Sequence, residues 1–225
     1  MSAENRPIAS WQTRLLAVLL IWCVALVTFR VARTGTLYFA FLVWNLFLAW
    51  TPLMLSRLLR AAHERRTGIA AQLSLAATWL LFLPNAPYIL TDWVHLEYRS
   101  TFQYGFDVLL LISYAGTGLF LGYASLFDVH AIVAKRFGER SGWLVAIASL
   151  MLSGYGVYLG RVERWNSWDV VTNPDGLLMS IAHCLLNPAQ HLRVYALSSI
   201  FSVALLLGYT LMHSIARRAI RAGSV

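Results

Sequence analysis

Apolar runs recur along this chain, parted by short segments that gather most of its charge. A bilayer core about 30 Å thick takes about 20 apolar residues of helix, each rising about 1.5 Å. Six runs meet or approach that length, at about 15–32, 37–56, 69–91, 106–127, 143–161 and 194–216. They predict an all-α polytopic membrane helix bundle, one transmembrane domain over residues 1–225 with about six transmembrane helices. The tails and loops left over are too short for a separate soluble catalytic domain. Any site must therefore lie between helices or in the loops.

Proline interrupts the third run. Pro84 lacks an N–H, clashes with the preceding turn and restricts Leu83, so the helix should break or kink there. Asn85 can cap a new helix, with Pro87 tolerated in its first turn. On that helix Tyr88, Thr91, Asp92 and His95 fall at i, i+3, i+4 and i+7, which sets them on one stripe. A polar stripe at the membrane boundary is costly to present to lipid, so it should face the bundle or a water-filled recess. The segment reads as the wall of an outward-open pocket.

The fifth run continues outward into G-R-V-E-R-W-N-S-W-D-V-V-T-N-P-D, from Gly160 to Asp175. Continued as helix, it puts Arg161, Arg164, Trp165 and Trp168 on one stripe. Asn173-Pro174 then opens a short interfacial helix in the outer loop, with Leu177, Leu178, Ile181 and Leu185 on its apolar face, a lid or collar. Gly118/Gly122 in the fourth run and Gly156/Gly160 in the fifth form G-x-x-x-G patterns that let backbones approach. They are read as core packing, with a homo-oligomer face as the lesser alternative. Asn45, in the second run, is expected to make an interhelical hydrogen bond.

Composition agrees with the runs. Of 225 residues, 59% are hydrophobic and 12% charged, against about 25% charged in an ordinary soluble domain. The net charge of +8 raises nucleic acid as a partner, and the placement of the charge argues against it. With the amino terminus inside, the cytoplasmic segments carry Arg6, Arg14, Arg57, Arg60, Arg65, Arg66, Lys135, Arg136, Arg140, Arg217, Arg218 and Arg221. The outer segments carry Arg30, Arg33, Arg99, Arg161, Arg164 and Arg193, so the ratio is twelve to six. That bias predicts both termini in the cytoplasm, with membrane lipids as the general partner. Arg14 precedes the first run and Arg30 and Arg33 follow it, with no clear A-x-A site between, so that run is read as an uncleaved helix. Tryptophans such as Trp11, Trp93, Trp143, Trp165 and Trp168 fall near run boundaries, where they anchor. Cys23 and Cys184 suggest neither a disulfide nor a metal pair.

Candidate chemistry collects at the outer face, where Asp107, Asn166 and Asp169 join the two segments above as candidate binding residues. In the enzymatic reading, Asp92 and His95 do acid–base work or share a metal that an outer histidine such as His183 completes. In the structural reading, Asp92, Asp107 and Asp169 neutralise Arg161 and Arg164 and tie helix ends together. The structural reading is preferred, because no H-E-x-x-H, paired C-x-x-C or G-x-S-x-G is present. No cofactor is specified.

Three strings carry a family resemblance: L-P-N-A-P-Y-I-L-T-D at Leu83–Asp92, Y-L-G-R-x-x-R-W-N-S-W-D at Tyr158–Asp169, and T-N-P at Thr172–Pro174. They resemble a family of bacterial multi-pass membrane proteins, domain of unknown function 1361, from about Trp44 to Leu207. The resemblance implies a bacterial inner-membrane location and brings no activity or catalytic residue with it. Two functional readings stand. One is a binding, transport or accessory protein whose outer pocket takes a small or lipid-like ligand. The other is a membrane-embedded hydrolase or transferase acting on a lipid-linked or envelope substrate. A transporter would need a polar path continuing inward past Asn45.

Overall fold

The computed structural model describes the backbone of residues 6–98 and 100–222, and the side chains of 14–98 and 100–218. The side chains of Arg6, Trp11, Arg99 and Arg221 lie outside the described residues. Helix accounts for every regular element among the described residues. The first span is α1 (Arg6–Thr34), and α2 (Phe41–Glu64) returns across the bundle. The third is composite: α3 (Ile69–Phe82), the one-turn α4 (Asn85–Tyr88) and a 3-10 helix (Ile89–His95). Next come α5 (Thr101–Phe137) and α6 (Glu139–Arg161), then the short α7 (Asp169–Thr172) and α8 (Pro174–Leu186), and last α9 (Leu192–Ala222). Six of these runs are long and apolar enough to cross a membrane, the composite Ile69–His95 among them.

α5 is the centre of the bundle. It packs against α1, α2, α4 and α6, while α3 lies against α2 and α9 against α6. Its 37 residues make a rod about 55 Å long, well beyond a hydrocarbon core of about 30 Å. The surplus consumes the expected basic loop after the fourth run. Lys135 and Arg136 become the last turn of α5, where cations suit the negative end of the helix dipole. Glu139 opens α6. The whole connection is Gly138, whose φ of 92° lies in the region that glycine alone enters without a steric penalty.

Ion pairs fasten α5 at two levels, a buried one at Asp107 and one at Asp128 whose arginines are largely exposed. Arg30 of α1 makes a two-pronged pair with Asp107, at 2.8 and 3.2 Å, and the two side chains are 2% and 4% exposed. The Arg30 guanidinium also lies over the Phe39 ring, 4.7 Å from its centroid. About 31 Å further along the helix axis, Asp128 accepts from Arg60 and from Ser56 of α2, with Arg57 at 3.4 Å. No charged residue falls between the two aspartates. The bundle thus has an Asp92/Asp107 face and an Asp128 face, separated by a slab of apolar side chains.

The broken third span is clasped by glycines from two helices. A Cβ on Gly118 of α5 would meet the Ala86 carbonyl oxygen at 2.8 Å, and one on Gly122 would meet the Ala86 methyl at 2.8 Å. On α6, a Cβ on Gly156 would meet Pro84 at 2.6 Å, and one on Gly160 would meet the Tyr88 ring at 3.0 Å. Both G-x-x-x-G patterns therefore seat residues 84–89 within the core.

Candidate functional site: the Asp92–Arg161 centre

The break creates unsatisfied carbonyls, and polar side chains collect to meet them. Asn85 was expected to cap the following helix; instead its Nδ2 donates to the Phe82 carbonyl at 2.9 Å and to Ser167 Oγ at 3.0 Å. The reason is the proline turn. Ala86 N–H bonds to Leu83, so the Phe82 carbonyl has lost its helical donor. Ser167 donates in turn to the Leu81 carbonyl at 3.3 Å. The loop after α6 is thereby stitched to the broken helix through a residue the sequence did not single out.

Beyond Tyr88 the chain tightens to a 3-10 helix, with three residues per turn. Ile89, Asp92 and His95 then share one row, and Tyr88 and Thr91 the next, where an α-helix would have set the four polar residues on one stripe. Asp92 is 1% exposed. One of its oxygens accepts from Arg161 Nη2 at 2.5 Å and the other from Asn45 Nδ2 at 2.9 Å. Arg161 Nε donates to Thr91 Oγ1 at 2.8 Å, and the guanidinium lies 4.7 Å from the centroid of the Tyr88 ring. His95 leaves this group and lies edge-on to Phe41 of α2, with centroids 5.0 Å apart. Asn45, placed outside the candidate set, belongs to the centre.

The structure parts several residues that the sequence grouped. Asp107 pairs with Arg30, and among the described residues Asp92 alone takes Arg161. The stripe Arg161, Arg164, Trp165, Trp168 does not form, because α6 ends at Arg161. Arg164 adopts a left-handed φ of 61°, uncommon outside glycine, and the turn lets Trp165 N–H donate to the Leu159 carbonyl at 3.1 Å. Trp168 is exposed. Asn166 and Asn173 hold local turns: Asn166 N–H donates to Asp169 at 2.7 Å, and Asn173 accepts from Gly176 N–H at the start of α8. His183 meets His191, ring nitrogen to ring nitrogen, at 3.1 Å. Asp92, His95 and His183 do not gather into a metal-ligand trio among the described residues.

With each Asp92 oxygen accepting a hydrogen bond, from Arg161 and from Asn45, the carboxylate anchors the guanidinium in the core. Arg161 keeps one amino group, Nη1, with no protein acceptor among the described residues, and the side chain is 23% exposed. On the opposite side of the break, the space toward the apolar slab is closed to a void of about 10 Å³ between Leu83, Pro87, Leu119 and Leu150. That is at the lower limit for one water.

Asp169 supplies a pH test. The Asn166 backbone N–H, with help from the Thr172 hydroxyl, holds its carboxyl below the ordinary 3.8. A depressed carboxyl stabilises the loop above its unfolded value and loses that contribution as pH falls through the lower, folded one. Amide exchange at Asn166 should therefore stay protected through the ordinary aspartate range and open only below it. In Asp169→Asn the protection should no longer depend on pH across that window.

Neither a curated protein nor a solved structure matches the chain. The model of the family described as protein of unknown function (DUF1361) matches residues 44–208. That stretch holds Asn45, the broken third span, Arg161 and the outer-loop strings, and it places the chain in this family, as an integral membrane protein with six membrane-spanning helices.

Proposed function

We propose that the chain is a binding or accessory protein of the bacterial inner membrane, with both termini in the cytoplasm and the Asp92 face outward. Its outer site holds an anionic small-molecule or lipid-like ligand. The twelve-to-six distribution of basic residues supports the orientation. One observation carries the ligand reading. Arg161 is locked by Asp92, Thr91 and the Tyr88 ring, yet presents a free Nη1 at the surface. Arg164 stands three residues on, exposed and with no carboxylate partner among the described residues. A guanidinium held still by its neighbours loses little entropy when it binds an oxyanion. The alternative, a membrane-embedded hydrolase or transferase, has no comparable support, since no nucleophile–base pair stands at the centre.

The test is native mass spectrometry of the purified chain with phosphatidylglycerol and phosphatidylcholine offered together. Phosphatidylglycerol should be retained preferentially. Arg161→Gln/Arg164→Gln should lower that preference about tenfold or more, as expected for charge-assisted hydrogen bonds of about 1.5–3 kcal/mol. An unchanged preference in a folded double variant would refute the reading.

A further inference from the structure

At the opposite end of the bundle from Asp92, three side chains from three helices converge. His130 of α5, Glu139 in the first turn of α6 and His213 of α9 each offer one ligand atom, all within 4.8 Å of one another. His130 is 4% exposed, and its Nε2 is buried with no hydrogen-bond partner. The other ring nitrogen is engaged: Nδ1 lies 2.8 Å from the Tyr209 oxygen. With Nδ1–H donated to Tyr209, Nε2 carries a lone pair. That nitrogen is 3.9 Å from Glu139 Oε1, too far for a hydrogen bond.

The surroundings are shaped for this arrangement. Trp143 stands edge-on to both imidazoles, with centroids 5.2 Å from His130 and 4.9 Å from His213. Gly142 leaves room for the buried ring, since a Cβ there would fall 2.7 Å from His130 Nε2. A hydrogen bond that fixes the second nitrogen of an imidazole is the usual support of a metal-ligating histidine.

We propose that His130, Glu139 and His213 bind a divalent transition-metal ion of the zinc class and so fasten α5, α6 and α9 together. Two imidazoles and a carboxylate, with a fourth position open to water, match the preferences of Zn²⁺. Bonds of about 2.0–2.2 Å in a tetrahedron set ligand atoms about 3.4 Å apart. Binding therefore requires the ligand atoms to close from the present spacing of up to 4.8 Å, by movement of the half-exposed Glu139 and of His213. The competitor is Arg217, whose Nη1 lies 3.3 Å from Glu139 Oε1 in an exposed pair. Such pairs are weak, and an ion bridging two imidazoles displaces this one. Because the three ligands sit on separate helices, binding is coupled to the docking of α9.

The experiment titrates Zn²⁺, and Co²⁺ as its spectroscopic surrogate, into the purified full chain after chelator treatment. The expected result is stoichiometric binding, with the visible bands of four-coordinate Co²⁺. Both are lost in His213→Gln and Glu139→Gln, with size-exclusion behaviour unchanged. Tyr209→Phe should weaken binding by about 10–100-fold, as loss of an outer-shell partner does. Arg217→Ala should tighten it, an effect that a merely structural role for the cluster does not produce. His183→Ala/His191→Ala should leave binding as it is. The proposal is overturned if the chain binds no metal. It is equally overturned if stoichiometric binding survives in both ligand variants or disappears with the His183/His191 pair.

Discussion

Arg30→Met is expected to cost about 3–5 kcal/mol of stability, the penalty for stranding one member of a buried ion pair. Arg30 and Asp107 are 2% and 4% exposed, and the guanidinium spends Nε and Nη2 on the two carboxylate oxygens. Its Nη1 reaches Thr34 and Thr36, so four of the five guanidinium N–H groups are engaged. Removing it leaves an unpaired carboxylate among apolar side chains, close to lipid. The double replacement Arg30→Met/Asp107→Leu should recover most of the loss, because two apolar side chains need no solvation where two charges did. Reversible denaturation in mixed micelles, arranged as a double-mutant cycle, measures the coupling. Equal losses in the single and double variants would mean that the pair does not hold α1 to α5.

That pair also shows where the sequence stopped being legible. Apolar run length gave the six spans, and Pro84 gave the break, because both are local properties of the chain. The pattern also gave α8, since Asn173 caps it and Pro174 opens it. What depended on neighbours was misassigned. Arg30 was counted as a flanking topological charge and Asp107 was given to Arg161, since nothing in either run says that α1 lies against α5. Asn45 does make the interhelical hydrogen bond expected of it, but its partner, Asp92, could not be read from the second run alone. The stripe of Tyr88, Thr91, Asp92 and His95 failed for a different reason: the period changed from 3.6 to 3 once the segment tightened to a 3-10 helix. The cluster of His130 and His213 was invisible because each histidine is single on its own helix, and α5 had been ended at about residue 127. Asp128 did carry a signal, an acid at the end of an apolar run opposite Arg57 and Arg60, and it went unread.

The glycines that seat the break make the second large effect. Gly118→Val should cost about 1–3 kcal/mol, the usual range for overpacking a filled core, and should also disable the Asp92–Arg161 centre. The nearest obstacle to its Cβ is the Ala86 carbonyl oxygen at 2.8 Å, with Ile89 Cδ1 at 3.0 Å. A flexible side chain could swing aside, but a backbone oxygen moves only if α4 moves. Ile89 leads directly into the row that carries Asp92, so the displacement reaches the Arg161 and Asn45 hydrogen bonds. Gly116 is the matched control, two residues away on the same helix and with nothing within 4 Å of its Cβ. Gly116→Ala should be neutral or stabilise by up to about 1 kcal/mol through helix propensity. Thermal unfolding and phosphatidylglycerol retention, measured on both variants, separate the two sites. If Gly118→Val keeps wild-type stability and lipid preference, α4 is not clasped by α5, and the Asp92–Arg161 centre owes its geometry to something other than that seat.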